Sequence, residues 1–324
     1  MNKGSIGIIG AGSIGTALGN VLANKDNLSV ILYSIEKDVV SMINRNSINT
    51  KYFPHIKLHK NLKASTDLSL LSGAEIIFLA MPSSVTIQYL HQNNQYLPEN
   101  APLVNLAKGF GNENKTIGEI IQEEFPNPSA SFKGPTFARE LMENTPTAFT
   151  YSSHDNKWFE RIHEIFSGTS IYVDFTTDLK GVELLSILKN IYAIVLGITD
   201  ARYDSPNLRF MVLTKAFKEL RNILIQFGGK EDSLFNYCGI GDFAMTALND
   251  LSRNRTLGLF IGKGFFTKDI SNEVLLEGKI ATQIFCEEIA KKNSLSNFQI
   301  ISNLYEVFKY KMSVTEFLDH LFTQ

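Results

Sequence analysis

The hydrophobic and polar positions of the chain follow two regimes. In the first, short apolar runs alternate with helix-periodic stretches. Ser5–Ile9 is a β-branched run that meets the glycine-rich stretch Gly10-Ala11-Gly12-Ser13-Ile14-Gly15 and passes into the helix-compatible Thr16–Ala23. A second strand is expected at Leu28–Tyr33, a helix at Lys37–Asn46 and a turn around Tyr52-Phe53-Pro54. The run Ala74–Ala80 is apolar at almost every position, which suits a parallel strand covered on both faces. Strands are also read at Pro102–Ala107, Thr147–Tyr151 and Ser170–Val173, with a helix over Asn156–Ser167, after which strand signals largely cease. From Lys180 onward helical periodicity dominates, broken at Asp204-Ser205-Pro206, Gly228-Gly229, Gly239-Ile240-Gly241 and Lys263-Gly264.

One segment belongs to neither regime. Asp178–Asp200 has no proline, exceeds any ordinary strand and is apolar on most sides, so it is expected to be a helix buried within a larger body. At 100° per residue, Glu183, Ser186, Asn190, Ala193 and Gly197 share one narrow polar or small face, with Lys189 on its flank. An amine in that setting must snorkel to water, find a partner or take part in chemistry.

The strand, glycine turn and helix at the amino end form an arrangement that can receive a pyrophosphate. The first glycine permits the tight turn, the second lets a phosphate approach the backbone, and the third allows close packing of helix on strand. The fold class follows: an N-terminal Rossmann-type, mostly parallel α/β sheet domain over residues 1–179 and an all-helical domain over 180–324. The two are expected to pack closely with a ligand between them. The residues after the second strand, Tyr33-Ser34-Ile35-Glu36-Lys37, contain an acid that suits a ribose 2′-hydroxyl and an amine that suits a 2′-phosphate, so NAD and NADP both stay open.

Ligands of open α/β sheets sit beyond the carboxyl ends of the strands. That edge carries Met81-Pro82-Ser83-Ser84, where a serine can cap the next helix, and Lys108-Gly109. It also carries Lys133-Gly134-Pro135-Thr136, where Gly134 would admit a ligand and Thr136 could bond an oxygen; a plain structural turn fits this last segment equally. In the second half, Asp242 of Gly239-Ile240-Gly241-Asp242 could accept bonds from a lysine or a ligand hydroxyl, or serve as a helix cap. Ser252-Arg253-Asn254-Arg255 joins a capping serine to a guanidinium and an amide, a set suited to phosphate at a helix start or to a solvated basic turn.

Composition narrows the function classes. With 324 residues, 44% hydrophobic and 20% charged, the chain has the make-up of a soluble globular protein. A formal net charge of −2 gives no basic face for nucleic acid and no polybasic patch for a membrane. Cys238 and Cys286 lack disulfide or metal-ligand spacing and fit a reducing, cytoplasmic setting, and no metal site is expected. The start reaches its glycine turn too soon for a signal peptide, and the polar residues of Asp178–Asp200 argue against stable membrane insertion.

Taken in order, the glycine turn Gly10–Gly15, Pro82-Ser83, Lys108-Gly109, Gly134-Pro135-Thr136-Phe137-Ala138-Arg139-Glu140, Gly181-Val182-Glu183-Leu184 with Leu188-Lys189-Asn190, Gly241-Asp242, Ser252-Arg253-Asn254-Arg255 and Glu277-Gly278 resemble the NAD(P)-dependent sn-glycerol-3-phosphate dehydrogenase family over nearly the whole chain. The resemblance implies hydride transfer between NAD or NADP and C2 of dihydroxyacetone phosphate, feeding glycerophospholipid synthesis, and it is compatible with a homodimer. It makes Lys189 the general acid, its amine pKa lowered by burial and a second lysine. Lys108 would reach substrate and cofactor, and Asp242 would hold Lys189 or the substrate hydroxyl. Substrate contacts would be Lys108, Gly134, Thr136, Lys189, Asp242, Ser252, Arg253 and Asn254, the phosphate going to Arg253 and Asn254. Cofactor contacts would be Gly10, Gly12, Ser13, Ile14, Gly15, Lys108, Ala138, Arg253, Leu275 and Glu277. The chain departs from the family at Ile14, where tryptophan is usual, at Ile35 and Ile87, where arginine is usual, and at Thr214-Lys215-Ala216 in place of Thr-Arg-Gly. Two other readings are a two-domain dehydrogenase for a different hydroxy acid or phosphorylated ketone, and a dinucleotide-binding sensor without turnover.

Overall fold

The computed structural model describes residues 4–265, 277–291 and 295–323. The chain divides into two compact units, 1–183 and 184–324. Strands β1 (Gly4–Ile9), β2 (Leu28–Tyr33), β3 (Lys63–Ser65), β4 (Ile76–Leu79), β5 (Leu103–Asn105), β6 (Ser129–Lys133), β7 (Thr147–Ser153) and β8 (Ile171–Thr176) build the first unit. They form one eight-stranded sheet of order β3-β2-β1-β4-β5-β6-β7-β8. All neighbours pair in parallel except β6 and β7, which are antiparallel.

Burial on both faces explains the continuous apolar runs. Ile76 and Phe78 join one core with Ile6, Ile8, Val30 and Leu32, whereas Ile77 and Leu79 join a second with Ile9, Leu103 and Ile121. Successive side chains of a strand point to opposite faces, so a strand between two layers must be apolar at consecutive positions. Helix α1 (Ser13–Ala23) packs into the first core through Ala17, Leu18, Val21 and Leu22, and α6 (Phe159–Phe166) enters it through Ile162, Ile165 and Phe166. Helices α2 (Lys37–Asn46), α3 (Ser83–Asn93), α4 (Ile117–Glu124) and α5 (Ala138–Met142) complete the unit.

The chain leaves β1 toward β2 on one side, and β4 lies on the other. This reversal of strand order places the glycine turn and the Pro82-Ser83 turn at adjacent strand ends, where Gly10 N–H donates to Tyr33 O at 2.9 Å and Ala80 N–H to Ile9 O at 2.8 Å. One local expectation needs correction, and one strand went unread. No serine side chain caps α3, whose N-cap is Pro82; Thr86 Oγ1 instead donates to Pro82 O at 2.9 Å. Strand β3 has only the residues Lys-Ala-Ser, so it carries no β-branched or alternating signal.

Helix α7 (Leu179–Arg202) begins under an aspartate cap, since Asp178 Oδ1 accepts from Gly181 N–H at 3.0 Å. The unit boundary falls inside this helix, after Glu183. Beyond it come α8 (Pro206–Gln226), α9 (Asp242–Leu248), α10 (Arg253–Gly262), α11 (Glu277–Lys291), α12 (Gln299–Phe308) and α13 (Val314–Phe322), with no strand among the described residues. Helices α7 and α10 cross where both have glycine: a Cβ on Gly197 would strike the Arg255 carbonyl, and one on Gly258 the Ile194 carbonyl. Helix α7 is long and apolar enough to span a bilayer by length and composition, yet its apolar window is wholly buried.

Candidate active site

The glycine turn has the shape its spacing predicts. Gly10 lies at φ +114°, a conformation that disfavours any residue with a Cβ, and a Cβ on Gly15 would collide with the Gly10 carbonyl. A Cβ on Gly12 would meet nothing within 4 Å, so the turn is open there. Ser13 is exposed, Ile14 is half-buried against the sheet core, and the first turn of α1 holds no acidic side chain. An open glycine backbone leading into a helix N-terminus free of negative charge fits a dinucleotide pyrophosphate. The turn is braced from below by a residue the sequence reading missed: Asn49 Nδ2 donates to Ala11 O at 3.0 Å and to Thr16 Oγ1 at 2.9 Å. Its loop position carries no pattern that marks it.

At the end of β2, Ser34 Oγ accepts from Glu36 N–H at 3.1 Å, Ile35 is 76% exposed, and Lys51 pairs with the Glu36 carboxylate. Lys51 adds a cation beside the acid that the sequence reading had weighed against Lys37 alone. Ile87, by contrast, is buried in the sheet core at 2% exposure, where an apolar side chain belongs.

Further along the same sheet edge, Lys108 is half-buried and its Nζ donates to Gly134 O at 3.2 Å. The missing Cβ of Gly134 is explained by packing, because one there would meet the Ala148 carbonyl and Phe149 Cα of β7. Thr136 Oγ1 is buried with no hydrogen-bond partner among the described residues. Ala138 starts α5 and packs against the core.

In the second unit the Lys189 side chain is 4% exposed and that of Asp242 0%, and the two form an ion pair. Lys189 Nζ also donates to Thr246 Oγ1 at 2.9 Å. A buried ammonium needs this compensation, and the pair holds Nζ in one place. Asp242 is therefore the lysine's partner and not the N-cap of α9, which is Gly241. The adjoining Gly239 makes its close approach to the chain itself, since a Cβ there would meet the Leu234 backbone.

Ser252 caps α10, its Oγ accepting from Arg255 N–H at 3.3 Å. Arg253 is exposed, whereas Asn254 is buried and its Oδ1 accepts from Gly278 N–H at 3.3 Å, beside Glu277 at the start of α11. Arg255 points the other way, into Asp200 of α7 at 2.7 Å and into Asp250, so it anchors the helix that presents Arg253. Lys215 of the departed Thr-Arg-Gly motif donates to Leu321 O at 2.9 Å and so fastens the end of α13. Leu275 lies outside the described residues.

A Rossmann-type unit with an intact phosphate turn, together with a helical unit holding a buried lysine–aspartate pair, defines a nicotinamide-dependent dehydrogenase. The family models for the N- and C-terminal parts of NAD-dependent glycerol-3-phosphate dehydrogenase match residues 5–159 and 178–319. The chain belongs to this family. It is 35% identical to a glycerol-3-phosphate dehydrogenase, NAD(P)+, of Leptospira biflexa, covering 89% of this chain and 88% of that one. It is 33% identical to the enzyme of the same description from Syntrophotalea carbinolica, over 93% and 92% of the two chains. Among solved structures, glycerol-3-phosphate dehydrogenase from Coxiella burnetii superposes with a TM-score of 0.88 at 28% identity, covering 99% of each chain.

Proposed function

We propose that this chain reduces dihydroxyacetone phosphate to sn-glycerol 3-phosphate, reversibly, with NADH or NADPH, and so supplies glycerophospholipid synthesis. The observation that carries the reading is the buried Lys189–Asp242 pair on a chain of this family, because it gives the reaction a fixed proton donor. When bound, the nicotinamide supplies a hydride to C2 of the substrate. As C2 gains the hydride its oxygen gains negative charge, and the Lys189 ammonium gives that oxygen a proton; in the oxidative direction the neutral amine takes it back. Asp242 and Thr246 hold Nζ for this transfer, and Lys108 is assigned a contact with substrate and cofactor. Thr136, with its orphaned hydroxyl, and Gly134 take substrate oxygens, while Ser252, Arg253 and Asn254 at the start of α10 take the phosphate.

Residues 1–179 are the dinucleotide-binding domain in this proposal, and 180–324 the substrate-binding domain. The cofactor is held by Gly10, Gly12, Ser13, Ile14, Gly15, Lys108, Ala138, Arg253, Leu275 and Glu277. A cytoplasmic location is supported by two buried cysteines, Cys238 and Cys286, that are not joined in a disulfide. A homodimer completes the proposal, and light scattering of the purified chain tests it. The deciding experiment is a dihydroxyacetone phosphate assay run with NADH and NADPH in parallel, for the wild type and for Lys189→Ala. Cofactor oxidation by the wild type alone is expected; equal turnover by both would remove Lys189 from the chemistry.

A further inference from the structure

The first unit contains a second buried lysine that the reaction does not use. Lys133 ends β6, with its side chain at 0% exposure. A lysine fully inside a sheet costs desolvation, so its surroundings must supply compensation and show what it is for. Its Nζ donates to Asn105 O at 2.9 Å and to Ala107 O at 2.5 Å, and it lies 3.9 Å from Glu183 Oε1. Pairing between β5 and β6 stops at Asn105, so Ala107 O has passed beyond the ladder, and the Lys133 amine serves it.

Glu183 completes the arrangement. Its Oε1 accepts from Asn105 Nδ2 and from Ser131 Oγ, each at 2.5 Å, and its Oε2 from Gly118 N–H at 2.7 Å. Asn105 in turn accepts from Ala107 N–H at 2.8 Å. Ala107 is thus held at its carbonyl by Lys133 and at its amide by Asn105, and it directly precedes Lys108. Lys108 then returns a bond to Gly134 O, the carbonyl directly after Lys133. Each lysine grips the backbone beside the other, closing a ring across the ends of β5 and β6.

We propose that Lys133 and Glu183 are positioning residues that fix Lys108 for the reaction. The inference rests on the role of Lys108 proposed above. Its test is a double-mutant cycle on kcat/KM for dihydroxyacetone phosphate, with wild type, Lys108→Met, Lys133→Met and the double variant. All are assayed well below their melting temperatures, which are measured in parallel. Misplacing a substrate-facing group by a fraction of an ångström to an ångström is expected to cost roughly tenfold in Lys133→Met, against roughly a hundredfold for removing the Lys108 amine itself. If Lys133 acts through Lys108, the double variant is no slower than Lys108→Met within about twofold. A purely structural lysine gives independent losses, about a thousandfold in the double variant, and that result or an unimpaired Lys133→Met overturns the inference.

Should Lys133→Met not fold, Ser131→Ala decides in its place. It removes one bond to Glu183 while keeping both charges, and a loss of about two- to fivefold that vanishes in the Lys108→Met background is expected, whereas a loss that persists there counts against the inference. Full activity in Lys108→Met would instead remove the role of Lys108, a failure distinct from additivity of the two substitutions.

Discussion

The two units each bury a lysine beside a carboxylate, and the described contacts of the two amines differ in kind. Lys133 faces two backbone carbonyls besides Glu183, and so works on the shape of the chain. Lys189 faces the side chains of Asp242 and Thr246. Burial and a counter-charge are therefore common to the clasp and to the lysine proposed as proton donor. The remaining contacts of the amine tell the two apart.

The largest expected effect tests that distinction on the second unit. Lys189→Met should lower kcat by about a thousandfold, within the range ascribed to a positioned general acid, as read from steady-state oxidation of NADH or NADPH. A loss smaller than about tenfold would place Lys189 in the same class as Lys133. Next in size is a stability effect in the first unit. Glu183→Leu removes the carboxylate that faces the buried Lys133 ammonium and should cost about 3–5 kcal/mol in urea unfolding; a neutral result would mean that the clasp is not an electrostatic one.

A third buried carboxylate sharpens the comparison, because neutral donors surround it. Glu219 accepts from Tyr192 OH at 3.1 Å and from Ile300 and Ile301 N–H, both at 2.8 Å. Burial outweighs these bonds and pushes its carboxyl up from 4.5 to about 7. Between those values the folded chain holds a proton that the unfolded chain has released. The group's contribution is therefore complete below about pH 4.5 and is lost as pH rises through 7, a change of about 3 kcal/mol. Unfolding at pH 5.5 and pH 8 should show that slope, and Glu219→Gln should flatten it. The smallest effect belongs to an exposed site: Ser313→Ala opens the capping box of α13 and should cost about 1 kcal/mol near neutral pH, shrinking in acid because Ser313 holds the Glu316 carboxyl below its usual range.

What the sequence made legible follows from range. The phosphate turn, the strands β1, β2 and β4 and the buried α7 are announced by local spacing, and the structure places them within a few residues of expectation. The partnership of Lys189 with Asp242 joins residues far apart in the chain; the residues themselves offered Asp242 a lysine or a ligand hydroxyl, and only the family resemblance named Lys189. Lys133, Asn49 and Arg255 were not read at all as site supports. Each acts through bonds to distant backbone or to a remote aspartate, which no periodicity records. At Gly134, read as admitting a ligand, and at Gly239, read as a break in the helical pattern, the missing Cβ atoms make way for the protein's own backbone.

Helix α7 has a consequence for how the gene can change. Glu183 and Lys189 stand on one unbroken helix, six residues apart. Each residue adds 100° of rotation and about 1.5 Å of rise. A single codon gained or lost between them would turn the lysine through 100° relative to the glutamate, away from Asp242 or out of the clasp. That segment is buried throughout, so truncating one of its apolar side chains should cost about 2–5 kcal/mol, and a change in its length should break the arrangement outright.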